Sequence, residues 1–254
     1  MIWKTIGSSV IGSSHVASGK PCEDAIQYTT IDLNSEDVLI CCVSDGAGSA
    51  AYGGWASAYT TDFMIEGLSF MASHGMPVTE NHIYAMVENI YDNLLTQAKS
   101  YDVELNEFSC TLLGCHITGK HAVFFHIGDG AIIRNDGTGF YTPVWWPDNG
   151  EYQNTTSFIV DDRGMGNLNV LIIEDTITEV AILSDGLQLL ALNTESQSAH
   201  QPFFADMFRH LRTANDAEQV NILNTKLAEY LDSPQINART DDDKTLFLAT
   251  KITS

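Results

Sequence analysis

Three apolar runs in this chain each end by presenting an aspartate followed by a glycine. Val38-Leu39-Ile40-Cys41-Cys42-Val43 leads into Ser44-Asp45-Gly46, residues 180–183 lead into Ser184-Asp185-Gly186, and residues 122–127 lead into Gly128-Asp129-Gly130. Asp-Gly is a common exit from a strand, because Asp bonds its own turn and glycine accepts positive φ. Taken singly, each pair is a turn. Taken together they say more, because strands of one sheet bring their ends together even when they are remote in sequence. Asp45, Asp129 and Asp185 are therefore expected at one edge. Two further acidic groups adjoin expected strands: Glu23-Asp24 before residues 25–30, and Asp241-Asp242-Asp243 before residues 245–250.

Clustered carboxylates repel, and burying even one costs several kcal/mol unless it is neutralised. A fold that gathers four or more needs divalent cations. With oxygen ligands and no His or Cys in the set, Mg²⁺ and Mn²⁺ are favoured over Zn²⁺. The glycine after each Asp leaves the backbone open, so the Gly46 carbonyl can join the ligands. Two such ions form a clamp for phosphoryl transfer, lowering the pKa of a shared water and absorbing the charge that develops.

The elements that must position these groups are legible along the 254 residues. The run at 38–43 reads as a strand buried on both faces. Residues 111–118 and 121–127, joined by Gly119-Lys120, read as a hairpin, as do 131–134 and 140–142 around Asp136-Gly137-Thr138-Gly139. Further strands are expected at 170–173, 179–183 and 245–252. Helical spacing marks residues 54–68, 83–95, 202–211 and 220–231, the last with Asn215 or Asp216 as its cap. Strands and helix pairs come in segregated batches, which implies an α+β sheet sandwich flanked by helices. No linker or repeat divides the chain, so residues 1–254 read as one domain. Its irregular stretch, residues 143–169, contains Trp145-Trp146 and has the length of a flap-like loop.

Composition narrows the partners. Twelve basic against 33 acidic residues give a net charge of −21, which repels phosphate backbones and anionic lipid, so no nucleic-acid or membrane partner is expected. The five cysteines, Cys22, Cys41, Cys42, Cys110 and Cys115, form no CxxC pair and fit reduced thiols. No run reaches the length of a membrane span and the first residues lack a signal-peptide pattern, so a cytoplasmic location is expected. His116 and His126, near Cys115, match no zinc spacing and are expected to be strand residues bonded to backbone.

The order Glu-Asp, strand-Asp-Gly, Gly-Asp-Gly, Ser-Asp-Gly and Asp-Asp-x-Thr-strand resembles the metal-dependent (type 2C, PPM-type) protein phosphatases, from Glu23 to Leu248. Ser44-Asp45-Gly46-Ala47-Gly48 with Gly54-Trp55-Ala56-Ser57, and Ser109-Cys110-Thr111, resemble segments of that family. The stretch from His15 to Ala25 and Gly150-Glu151-Tyr152-Gln153-Asn154-x-Thr156 resemble its bacterial branch. The resemblance implies a four-layer α-β-β-α sandwich of two mostly antiparallel sheets flanked by helix pairs, with a dinuclear Mg²⁺ or Mn²⁺ site at one end of the strands. It implies that Asp45 bridges both ions, that the Gly46 carbonyl, Asp185 and Asp242 are ligands, and that Glu23 and Asp24 hold metal-bound waters. Asp129 matches a residue linked to a weaker third ion. The activity implied is hydrolysis of phosphoserine and phosphothreonine in a phosphorylated protein by metal-activated water, opposite a serine/threonine kinase, and a monomer is expected.

One position departs from the pattern. Where the family carries an arginine that grips the substrate phosphate, four residues before the glutamate, this chain has Gly19. His15 and Lys20 are the nearby cations expected to stand in, with His15 also a candidate catalytic group beside Asp24 and Asp45; neither has the bidentate fork of arginine. Arg134 and Arg163 have only their charge to recommend them. The departure keeps open a catalytically weak regulatory domain of the same fold. Asp241-x-Asp243-x-Thr245 also matches the DxDxT signature of aspartyl-phosphate hydrolases, although it precedes a strand near the C-terminus where theirs follows one near the N-terminus.

Overall fold

The computed structural model describes residues 2–33, 36–135, 138–147 and 156–252. The chain opens with β1 (Ile2–Val10), the short helix α1 (Ser13–Ser18), β2 (Asp24–Leu33) and β3 (Glu36–Asp45). Two long helices follow, α2 (Gly53–Ser73) and α3 (Glu80–Tyr101), then β4 (Leu112–Ile117), β5 (Ala122–Ile127), β6 (Ala131–Asn135) and β7 (Tyr141–Pro143). Next come β8 (Asn169–Ile173), β9 (Glu179–Leu183), α4 (Gln188–Ala191) and the two-residue strands β10 (Leu192–Asn193) and β11 (Ser198–Ala199). The chain closes with α5 (Gln201–Thr213), α6 (Ala217–Leu231), α7 (Pro234–Asn237) and β12 (Lys244–Ile252).

Two five-stranded sheets result, in the orders β1-β12-β9-β6-β7 and β2-β3-β4-β5-β8, with every pairing antiparallel. The facing surfaces interdigitate Leu39, Cys41, Val43, Leu113 and Phe124 with Ile132, Val180, Ile182 and Phe247. Alternate residues of the same strands point outward: Ile40, Cys42, Leu112 and Phe125 pack under α2 and α3, while Ala181, Leu183, Leu246 and Leu248 pack under α5 and α6. The central strands are covered on both faces. That is why they read as unbroken apolar runs rather than as alternation. The result is the expected four-layer α+β sandwich.

The structure adds elements that the pattern hides. Residues 2–10 carry Gly7, Ser8 and Ser9 and show no strong strand signal, yet β1 pairs with β12 along its whole length. Gly7 is required there, because a Cβ would lie 2.8 Å from both Ile26 and Tyr28 across the sandwich. The cap of α6 is Asp216, which accepts the Gln219 N–H at 2.8 Å. Of residues 143–169, those from 148 to 155 lie outside the described residues, and Gly150 to Asn154 with them. The remainder runs through Trp145-Trp146 and a 3₁₀ turn at Asp161–Gly164 into β8. Cys41, Cys42, Cys110 and Cys115 are buried free thiols and Cys22 is a partly exposed one. His116 is a buried strand residue of β4, and among the described residues neither of its ring nitrogens meets hydrogen-bond geometry.

Candidate active site

The registers explain how remote carboxylates meet. Asp24 stands opposite Asp45 at the shared end of β2 and β3. In the other sheet, Leu183 of β9 lies between Leu246 of β12 and Ala131 of β6. The residues just beyond those strand ends, Asp185, Asp242 and Asp129, therefore issue at one edge. Hydroxyls tie the two edges together. Ser184 Oγ and Thr245 Oγ1 each donate to Asp24 Oδ2 at 2.7 Å, and the Thr245 N–H donates to Ser184 Oγ at 2.9 Å.

A pocket of about 240 Å³ opens at this edge, lined among others by His15, Asp45, Gly46, Asp129, Asp185 and Asp242. Thr111 and Thr156 also line it. Thr111 clasps the Asp45 backbone, its hydroxyl accepting the Asp45 N–H and its own N–H donating to the Asp45 carbonyl, both at 2.9 Å. The Thr156 hydroxyl donates to the Asp129 carboxylate. The 46–54 turn is packed backbone on backbone: a Cβ on Gly46 would lie 2.3 Å from the Gly53 carbonyl carbon. Glu23, Asp24 and Lys20 do not line the pocket. Asp24 is buried behind it, and the Lys20 ammonium donates to the Gly48 carbonyl at 2.6 Å, 3.5 Å from Glu23 Oε2.

Electrostatically the site is overloaded with negative charge. Burial, then the Asp24 and Asp185 carboxylates, push Asp45 well above the usual carboxylate range. Burial, then Asp129 and Asp242, push Asp185 up to about 7. Asp24 rises to about 6, chiefly through burial, although the Thr245 and Ser184 hydroxyls hold it down. Asp129 rises by burial against the opposing Thr156 bond.

The donor set suits hard divalent cations. Among the described residues, buried Oδ1 of Asp24 and Oδ1 of Asp185 have no hydrogen-bond partner, and such anionic oxygens in a low-dielectric site call for a cation. Among the described residues no three His, Cys, Asp or Glu side chains are drawn tightly enough to enclose an ion. Burial and the neighbouring carboxylates instead hold Asp45 and Asp185 toward their protonated forms, and a cation can take the proton's place.

His15 is a buried residue of α1. Its Nδ1 lies 2.9 Å from Asp243 Oδ2, an ion-pair contact whose angle falls short of a hydrogen bond, and its Nε2 lies 3.5 Å from Glu23 Oε2. Gly19 caps α1 at φ 71 with open space around it, so no side chain there reaches the pocket. Arg163 sits over the Tyr91 ring of α3, and neither it nor Arg134 lines the pocket. Asp241 is exposed, unlike the nucleophile that the DxDxT reading needs. Sequence reasoning names Ser184 and Thr156 only within motifs, with no role in the site, and Asp243 only within the acidic run and the DxDxT pattern. Hydroxyls beside acidic residues are too common to be a signal, and Asp243 is hidden in a run of three aspartates.

A model of the protein phosphatase 2C family matches residues 11–232. Serine/threonine-protein phosphatase 3 of Escherichia coli (strain K12) is 35% identical over 254 residues, covering 98% of each chain. Among solved structures, the serine/threonine phosphatase of S. agalactiae has a TM-score of 0.64 at 16% identity, over 99% of this chain and 100% of that one. The catalytic domain of the serine threonine protein phosphatase PstP, in complex with 2 manganese ions, has a TM-score of 0.64 at 16% identity, over 99% of both chains. At that identity the structural likeness speaks for the fold alone.

Proposed function

The chain belongs to the protein phosphatase 2C family, and we propose that it is a metal-dependent phosphatase acting on phosphoserine and phosphothreonine in proteins. The observation that carries this reading is the convergence of Asp45, Asp129, Asp185 and Asp242 on one pocket, from the ends of strands in both sheets. In that reading Asp45, Asp185, Asp242 and the Gly46 carbonyl hold two Mg²⁺ or Mn²⁺ ions, and Asp129 serves a weaker third. Glu23 and Asp24 act behind them through water. When bound, the ions supply the positive charge that neutralises the carboxylates and polarises the phosphoryl group.

The chain's own residues do the rest. Thr111 fixes the Asp45 backbone and Thr156 fixes the Asp129 carboxylate. Ser184 and Thr245 hold Asp24 as a charged acceptor facing the edge. His15 offers Nε2 to the pocket as a phosphate contact and a catalytic group. Lys20 contributes from the rim, its ammonium bridging Gly48 and Glu23. Without an arginine fork the grip on phosphate is weaker and less directional, so a high KM is expected.

We further read the chain as a single-domain, cytoplasmic monomer whose substrate is supplied by a serine/threonine kinase. Among the described residues no helix is long and apolar enough to cross a membrane. The reading tests directly: turnover of phosphoserine, phosphothreonine and phosphotyrosine peptides is measured against added Mn²⁺ and Mg²⁺, wild type beside Asp45→Asn. Metal-dependent hydrolysis of the first two, abolished by chelator and by Asp45→Asn, is the expected result. Full activity in excess chelator overturns it. The open, side-chain-free Gly19 favours one alternative, an idle domain of the same fold, and failure to bind Mn²⁺ at all would select that alternative.

A further inference from the structure

We propose that Asp243 is a positioning residue, which holds His15 and the whole segment 12–23 against the phosphate side of the pocket; this rests on the reading of His15 as a phosphate contact. Asp243 is 3% exposed, and its carboxylate is shared by three groups. Oδ1 accepts the Gly12 N–H at 2.6 Å. Oδ2 accepts the Glu23 N–H at 2.6 Å and lies 2.9 Å from His15 Nδ1. Segment 12–23, which carries α1, His15, Lys20 and Glu23, thus leaves and rejoins the start of β12 at a single carboxylate.

The fixture is rigid on its other sides. The Ser14 N–H and Oγ both donate to the Asp241 carbonyl, at 2.9 and 2.7 Å. A Cβ on Gly12 would lie 2.3 Å from the Asp242 carbonyl carbon, and one on Gly186 2.0 Å from the Asp243 carbonyl oxygen. The Asp243 backbone is therefore wedged between two glycines and cannot follow its side chain. With Nδ1 of His15 on Asp243, the ring is turned so that Nε2 is the nitrogen offered to the pocket, over the open backbone of Gly48. A carboxylate 2.9 Å from one imidazole nitrogen draws the ring proton to that side and so favours one tautomer and one aim for the other. Removing it frees the ring and strips two buried N–H groups of their acceptor.

The test uses the full chain, with Mn²⁺ present, on an aryl phosphate monoester. Asp243→Asn keeps the shape and loses one acceptor. The expected result is a KM raised about 10-fold or more, the scale of one charge-assisted hydrogen bond, with a smaller change in kcat. The inhibition constant of inorganic phosphate rises in parallel, and Mn²⁺ affinity holds. His15→Gln should raise KM similarly, and Asp243→Asn added to it should do clearly less than it does alone, the remainder coming from the Gly12 and Glu23 N–H groups and from Lys20. An undiminished second effect would show that Asp243 acts elsewhere and overturn the proposal. So would unchanged KM in an active Asp243→Asn enzyme. If that variant does not fold, the wild-type His15 ring decides through its ¹⁵N–¹H correlations: a proton on Nδ1 is expected, and one on Nε2 alone refutes the contact. Absence of any metal-dependent turnover in the wild type counts against the phosphatase reading instead, and the ring spectrum still judges Asp243.

Discussion

Removing a ligand should stabilise this protein when no metal is present. Burial and the neighbouring carboxylates raise Asp45 and hold Asp185 at about 7 against an ordinary 3.8. Below pH 4 both folded and unfolded chains carry the proton. Between about pH 4 and 7 the folded chain keeps a proton that the unfolded chain has released, so metal-free stability falls as pH rises through that window. A shift of about three units corresponds to roughly 4 kcal/mol as an upper figure, and sharing within the pair brings a working figure to ~2 kcal/mol. Asp45→Asn removes one charge, while its carboxamide N–H can still donate to Asp185. At pH 8 in chelator the variant should therefore melt about 4–8 °C above wild type, at roughly 2–4 °C per kcal/mol for a chain of this size. Added Mn²⁺ should reverse the order, since ligand at 100 times its Kd stabilises a competent site by about 2.7 kcal/mol and the variant gains little. The assay is differential scanning calorimetry, with chelator and with Mn²⁺, at pH 5 and pH 8. Equal or lower melting of Asp45→Asn in chelator at pH 8 would refute the idea that these carboxylates strain one another.

A second pH effect has the opposite slope. Burial lowers His116 to about 4 from 6.5, so the folded chain resists a proton that the unfolded chain accepts; this stability is fully present above pH 6.5 and is lost as pH falls through 4, by up to ~3 kcal/mol. In urea unfolding at pH 4.5 and 7, the stability of wild type relative to His116→Leu should therefore be lower at pH 4.5 than at pH 7. Glu179, 3% exposed, takes Arg212 at 2.8 and 3.1 Å, the Tyr141 hydroxyl at 2.9 Å and the Thr250 hydroxyl at 3.1 Å. Arg212→Ala should therefore cost about 1–3 kcal/mol in denaturant unfolding, less than a fully buried pair because Arg212 is half exposed. Gly46→Ala forces a methyl onto the Gly53 backbone and should cost about 1–3 kcal/mol with most of the turnover, measured by unfolding and by aryl phosphate hydrolysis.

The strand-end aspartates were legible because burial on both faces leaves an unbroken apolar run, and Asp-Gly is the conspicuous way out of it. Residues 38–43 and 179–183 show this directly. β1 was not legible: Gly7 is there to admit Ile26 and Tyr28 from the facing sheet, a requirement of tertiary packing that leaves no local pattern. The site was legible in its carboxylates and illegible in their supports. Thr245 and Ser184 share Asp24 across a junction between two sheets, and only the fold brings them together. The helix that carries His15 was not legible, because α1 is six residues long and its apolar face is too short to show a period. Its partner Asp243 could not be told from Asp241 and Asp242 by type. One is exposed, one lines the pocket and one anchors a segment.

Anomalous diffraction from crystals grown with Mn²⁺ would locate the ions themselves. The account predicts two neighbouring peaks beside Asp45, one reached by Asp185 and Asp242, both gone in Asp45→Asn crystals. Peaks elsewhere on the molecule with none in this pocket, or peaks here that survive Asp45→Asn, would contradict it.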